Sequence, residues 1–144
     1  MPADGDARGR GGLRPELLTF RDDSGRELFD LPDAPRPDPE TPAPTRFLPE
    51  YDNLLLSHAD RSRFVTAAAR AGAVTATGRV LGTVLHDGSV SAVWRDERED
   101  DRVTVVVTPV VRLTKRATAS IEAEGRRLAR ALADGAAGAV RIAS

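Results

Sequence analysis

The sequence predicts an α+β fold, and three features of its 144 residues predict it. Asp87-Gly88 lies between two apolar runs as a hairpin turn, residues 102–108 alternate Val103, Val105 and Val107 with Thr104, Val106 and Thr108 as a strand with one buried face does, and residues 114–133 repeat small and aliphatic side chains at helical spacing. Together they describe a small antiparallel sheet covered by a C-terminal helix. A shorter hairpin and a proline-rich connector precede it.

Residues 1–12 are rich in Gly, Asp and Arg with almost nothing apolar, which predicts a disordered lead-in. Leu18-Thr-Phe-Arg21 and Arg26-Glu-Leu-Phe-Asp-Leu31 read as two short strands. Between them, Asp22-Asp23-Ser24-Gly25 places side-chain oxygens early and a residue free to take positive φ late, the chemistry of a tight turn. A helix end followed by a hairpin is how a winged-helix unit finishes, so residues 13–31 are expected to be the tail of such a unit, its earlier helices lost. Two strands alone rarely persist in water, leaving Leu18, Phe20, Leu28 and Phe29 short of partners. Residues 32–44 hold six of the ten prolines and read as an extended connector.

The stretch from 45 to 134 carries the expected sheet-and-helix domain. Residues 47–56 hold Phe47, Tyr51 and three consecutive leucines and are expected to be core. A polar loop, Ser57 to Arg63, separates them from Phe64-Val65 and a short alanine-rich helix ending at Gly72. A two-residue turn at Asp87-Gly88 pairs Leu85 with Val90, Thr83 with Ala92 and Leu81 with Trp94, which places the one Trp in an apolar stripe. Asp96 to Asp101, five carboxylates and one Arg, reads as a solvated turn. Thr114 is the expected N-cap of a helix with a stripe of Leu113, Ala117, Ile121, Leu128 and Leu132, broken by Gly125 and ending before Asp134-Gly135. Residues 135–144 are left as a tail.

Composition bounds the function. The chain has no Cys and two His, so disulfides, thiolate metal sites and cysteine nucleophiles are excluded, and no metal or other cofactor is expected. No window approaches the roughly 18 apolar residues of a membrane span, and residues 1–12 lack the apolar core of a signal peptide, so a cytoplasmic protein without a membrane partner is expected. Net charge is -1, but residues 1–63 hold 9 Lys/Arg against 13 Asp/Glu while residues 64–144 hold 12 against 9. In the basic half Arg112, Lys115, Arg116, Arg126, Arg127 and Arg130 face only Glu122 and Glu124, a face suited to phosphate or to solvent.

Ser57 and His58 with Asp52 and Asp60 invite a nucleophile–base–orienter reading, yet residues so close in sequence rarely meet as a triad. The chain has no glycine-rich phosphate loop, Gly-x-Ser-x-Gly elbow or His-Glu-x-x-His. Five carboxylates at 96–101 lack the ligand spacing of a calcium loop.

The run Arg46-Phe-Leu-Pro-Glu-Tyr-Asp-Asn-Leu-Leu-Leu-Ser-His-Ala-Asp-Arg61, preceded by Gly25-Arg-Glu-Leu-Phe-Asp-Leu-Pro-Asp-Ala-Pro35, resembles the later part of the bacterial winged-helix DNA-binding domain-containing family. Leu48-Pro-Glu-Tyr-Asp-Asn-Leu54 is the most specific part, and the similarity covers residues 13–134. That family includes DNA glycosylases that unhook interstrand crosslinks. Its members are longer, begin with tandem winged-helix units, and in the glycosylases place a glutamine-containing catalytic motif in that earlier region. This chain has no Gln, so the resemblance is to a C-terminal portion and carries over no catalytic residue.

The resemblance implies a DNA partner, and DNA repair as the setting. The expected function is a DNA-binding module, non-catalytic as an isolated chain and nucleoid-associated when bound, with phosphate contacts from His58, Arg61, Arg63, Arg126, Arg127 and Arg130. Two alternatives stand beside it. One is the C-terminal part of a glycosylase acting on alkylated or crosslinked DNA that needs an N-terminal region. The other is an interaction module with no DNA role. The oligomeric state is not legible.

Overall fold

The computed structural model describes residues 12–58, 60–134 and 137–143. Residues 1–11 of the expected disordered lead-in lie outside the described residues. The chain forms two compact units, one up to Thr41 and one from Pro42 onward.

In the first unit a 3-10 turn, Arg14–Glu16, leads into an antiparallel hairpin of β1 (Leu18–Arg21) and β2 (Glu27–Asp30), with Leu18 opposite Asp30 and Arg21 opposite Glu27. Asp22 closes the turn: its Oδ1 accepts from the Ser24 hydroxyl at 2.6 Å and from the Ser24 and Arg26 N–H groups at 3.0 and 2.9 Å. These bonds, led by the Ser24 hydroxyl, hold the Asp22 carboxyl below its ordinary pKa. Gly25 supplies the positive φ of 80°. Leu18, Phe20 and Leu28 stay exposed, as the sparse local chain implied. Cations cover the aromatic rings instead, Arg14 over Phe29 at 4.8 Å and Arg36 over Phe20 at 5.3 Å. Arg36 also donates to the Leu31 carbonyl at 2.7 Å, so the connector folds back on its hairpin there. Residues 32–44 are otherwise exposed apart from Ala34 and contain no helix or strand. Limited proteolysis should therefore cut before residue 45 first, with residues 32–44 the most open of the described ones; protection of 32–44 with cleavage inside the second unit would contradict it.

The second unit is a five-stranded sheet in the order β3 (Arg46–Leu48), β4 (Gly82–His86), β5 (Ser89–Glu99), β6 (Arg102–Pro109), β7 (Ala137–Ile142). Two short helices and one long helix of the second unit flank it: α1 (Asn53–Leu56), α2 (Ala67–Ala73) and the long α3 (Lys115–Ala133). The α+β class and the covering helix are as expected. The sheet is not wholly antiparallel, however. Residues 135–144, read as a tail, contain β7, which pairs in parallel with β6 from Arg102–Ala137 to Val107–Ile142. A parallel neighbour requires a long crossover, and α3 is that crossover.

The hairpin register holds only at its tip. Leu85 pairs with Val90 and His86 with Ser89, as the turn at Asp87 (φ 51°) and Gly88 (φ 73°) dictates. Between Val84 and Leu85 the register shifts, so that Val84 opposes Ala92, Thr83 opposes Val93 and Gly82 opposes Trp94. The expected pairs Thr83–Ala92 and Leu81–Trp94 are therefore absent. The bulge at Ser91 has a packing reason: an extra residue turns the strand over. Val90 and Leu85 join one core, while Ala92 and Trp94 join the other.

The first core lies between the sheet and α3. Val84, Ala92, Val105 and Val107 meet Ile121 and Ala129, with Phe47, Trp94, Leu128 and Val140 at its edge. Thr114 caps α3 as expected, its Oγ1 accepting from Ala117 N at 3.1 Å. The buried stripe is Ala117, Ile121, Gly125, Ala129 and Ala133, one residue every helical turn, flanked by half-buried Leu128 and Leu132. Gly125 is thus the point of closest approach rather than a break. A Cβ there would lie 2.7 Å from Val140 Cγ2 and 3.3 Å from Phe47 Cζ. Asp134 ends the helix in the left-handed region at φ 44°. Thr45 ties the layers together, its hydroxyl lying 2.9 Å from His86 Nδ1 and 2.8 Å from Ser120 Oγ.

The acidic run is mostly strand. β5 continues to Glu99 and only Asp100-Asp101 turns, with Asp100 at φ 44°. Glu97 accepts from Arg95 at 2.6 Å and from Arg141 at 2.9 Å, linking β5 to β7 across β6. These contacts, Arg95's first, hold the Glu97 carboxyl below its ordinary value of 4.5 against the opposing effect of desolvation. A depressed folded pKa gives a contribution complete above 4.5 and lost as pH falls through the folded value. Glu97→Gln should therefore flatten the acid limb of the stability curve below that pH, read by thermal unfolding. An unchanged limb would place the acid sensitivity elsewhere.

Candidate nucleic-acid interface

On the face of the sheet opposite α3, Leu55, Val65, Ala69 and Val80 build the second core on Val90 of β5, with Phe64, Leu85 and Val110 packed against it. Two caps start its helices: Asp52 Oδ1 accepts from Leu54 N at 2.8 Å, and Thr66 Oγ1 accepts from Ala69 N at 3.1 Å. Two backbone bonds fasten the layer to the sheet region, Val90 N to Phe64 O at 2.8 Å and Leu81 N to Ala73 O at 2.9 Å. Tyr51 and Leu56, expected in the core, are 54% and 47% exposed. Tyr51 sits at φ 57° in the turn between β3 and α1.

The loop from Ser57 to Arg63 leaves this layer at the surface. His58 is exposed and meets Phe64 edge-on, ring centroids 5.9 Å apart. Asp60 Oδ1 accepts from the Ser62 N–H at 3.0 Å and from the Ser62 hydroxyl at 2.7 Å. Arg61 turns the other way, donating from Nη2 to the Leu56 carbonyl at 3.1 Å. Its Nε is buried with no hydrogen-bond partner among the described residues. Arg63 is exposed and has no ion pair there.

These contacts dissolve the triad-like reading. Ser57 Oγ faces Asn53 Oδ1 at 3.5 Å, Asp52 is occupied as a cap and His58 lies on Phe64. No group of three His, Asp or Glu side chains suited to a metal ion occurs among the described residues. No helix among them is long and apolar enough to cross a membrane.

The structure does not gather the six expected phosphate contacts into one patch. His58, Arg61 and Arg63 belong to the layer on one face of the sheet, and Arg126, Arg127 and Arg130 to α3 on the other. On α3, Arg126 pairs with Glu122 at 2.9 Å and Arg127 with Glu124 at 3.0 Å, and Arg130 turns its Nε to the Arg126 carbonyl at 3.3 Å. Much of that local positive charge is met within the helix.

Arg70 was missed by sequence reasoning. It is the one charged residue of α2, and with Arg61 it lines an open groove of about 690 Å³ bordered by Ser62, Thr66 and Val74. It has no carboxylate partner among the described residues. A lone cation in an alanine-rich stretch was the available signal.

The family profile described as DNA glycosylase AlkZ-like matches residues 6–131. Among solved structures the chain is similar to the Streptomyces sahachiroi DNA glycosylase AlkZ, with 27% sequence identity and a TM-score of 0.64. That similarity covers 92% of this chain and 35% of the other, so the chain spans about a third of the length of that glycosylase. No curated protein matches it.

Proposed function

The chain belongs to the AlkZ-like family of DNA glycosylases, and from that premise we propose that it is the DNA-holding portion of such an enzyme, acting in the repair of alkylated or crosslinked DNA. The family match across residues 6–131 carries this reading. It favours a piece of a repair glycosylase over a DNA-binding module with a separate purpose. In this reading β1–β2 is the hairpin that closes a winged-helix unit, and the protein works in the cytoplasm on the nucleoid.

Base excision needs the target nucleotide out of the stack and a positioned group to act on it. Asp52, Ser57, His58 and Asp60 are engaged in a cap, a side-chain contact, a ring contact and turn bonds, so excision is assigned to groups outside the segment this chain shares with AlkZ. The chain itself supplies sequence-independent phosphate contacts, first from exposed Arg63 and half-buried Arg61 of the same loop.

Fluorescence titration of the chain with a short labelled duplex at two salt concentrations tests the holding role. Binding is expected at low salt, weakening as salt rises, with Arg61→Ala/Arg63→Ala lowering the slope of log affinity against log salt by about two. Excision from an alkylated duplex is expected only when the rest of an AlkZ-like enzyme is joined to the chain. Absence of low-salt binding overturns the holding role, and excision by the chain alone overturns the division of labour.

A further inference from the structure

Beneath the groove beside α2 lies a smaller cavity of about 200 Å³. Groove and cavity share Arg61, Val65, Arg70 and Val74, and the cavity adds Leu55, Leu56, Ala73 and Val80. Two cations thus stand over an aliphatic hollow. Leu56 and Val74 at its border are 47% and 43% exposed.

The hollow and its cations are each incomplete. Arg61 Nε is a buried donor with no acceptor among the described residues, and an unmet buried donor is costly. Arg70 faces the same groove without a carboxylate partner there. The one carboxylate of the groove wall, Asp60, directs Oδ1 to Ser62. An anion meets the needs of both guanidinium groups, but an anion alone leaves the aliphatic hollow unfilled, with its lining short of contacts.

A ligand with a flat, weakly polar body on a short tether to an anion meets both. Apolar cavities of about 150 Å³ hold a benzene-sized ring, so a hollow of about 200 Å³ has room for a single-ring base. A guanidinium plane both pairs with phosphate and stacks on a base. Resting on the DNA-holding reading above, we propose that groove and cavity form a seat for one unstacked DNA nucleotide with a single-ring base, its phosphate between Arg61 and Arg70 and its base in the hollow lined by Leu55, Leu56 and Val80. Arg70, rather than Arg63, is then the partner of Arg61 at this seat.

Titration of the chain with thymidine 5′-monophosphate, followed by amide chemical shifts, tests the seat, with inorganic phosphate and thymidine as controls. The nucleotide should bind about tenfold or more tightly than inorganic phosphate, and shift Val65, Ala73 and Val74 as well as Arg61 and Arg70. Arg70→Ala, on an exposed position, should weaken nucleotide binding about tenfold. Ala73→Leu, which fills the hollow, should reduce nucleotide affinity to that of inorganic phosphate, provided the dispersion of the amide spectrum shows it folded.

Equal affinity of the wild type for nucleotide and inorganic phosphate, or unchanged binding in Arg70→Ala, overturns the proposal. The same samples are titrated with duplex at low salt. Duplex binding without nucleotide binding overturns the seat alone. Nucleotide binding without duplex binding overturns the DNA-holding reading and leaves the seat standing.

Discussion

Gly138→Val should destabilise the second unit by about 3 kcal/mol, measured by urea unfolding. Gly138 lies on β7 directly beneath α3, where a Cβ would come 2.7 Å from the Ala129 carbonyl carbon, 2.8 Å from its oxygen and 2.8 Å from Arg130 N. Those neighbours are helix backbone, so no side-chain rotation relieves the clash. Either α3 lifts or β7 leaves β6, and both remove Val140 and Ile142 from the first core. Were residues 135–144 an undocked tail, the substitution would change stability by less than about 0.5 kcal/mol. That result would reject β7 as part of the sheet. With total stabilities of about 5–15 kcal/mol for domains, the expected loss is a large share of what holds the unit together.

The same strand marks where sequence legibility ends. α3 was legible because capping and helical periodicity agree: Thr114 is a strong cap, and Ala117, Ile121 and Ala129 recur at the spacing that buries one side. β6 was legible because Val103, Val105 and Val107 alternate with less buried neighbours on most of its length. β7 offers Ala-Gly-Ala-Val-Arg-Ile, mostly small side chains with weak alternation, because a strand beneath a close-packed helix needs small residues more than β-branched ones. The glycine at 125 misled for the same reason. Helix propensity penalises it, whereas a helix resting on Val140 and Phe47 requires it.

The bulge at Ser91 was illegible for a different reason. Turn chemistry fixes register only near the turn, and Leu85–Val90 confirms it there. Beyond the tip the sheet is packed on both faces, and a straight alternation would send Val90 and Ala92 to the same face, whereas they belong to different cores. At the candidate site, sequence spacing found the loop carrying Arg61 and Arg63. It could not find that Arg61 turns to Leu56 or that Arg70 shares its groove, since both depend on how α1 and α2 meet.

Trp94 and Gly82 should prove strongly coupled, the second large effect expected in this unit. Trp94 packs edge-on against Phe47 with centroids 5.8 Å apart, and its Nε1–H donates to the Leu48 carbonyl at 2.8 Å. The indole thereby closes β3 onto the sheet. Trp94→Ala should cost about 3–5 kcal/mol, the loss of a large packed aromatic, and Trp94→Phe about 1 kcal/mol for the hydrogen bond. Gly82 stands opposite, where a Cβ would lie 2.5 Å from Nε1 and 2.7 Å from Cε2. Gly82→Ala alone should therefore destabilise by about 2 kcal/mol, because the ring is held on its other side and has nowhere to retreat. With Trp94 already reduced to Ala the obstruction is gone, and Gly82→Ala should be neutral or stabilising by about 0.5 kcal/mol through the lower chain entropy of alanine. A double-mutant cycle by urea unfolding measures the difference. Additive costs would mean that Gly82 and the indole do not meet, and that the register beyond the bulge is not the one in which Trp94 faces Gly82.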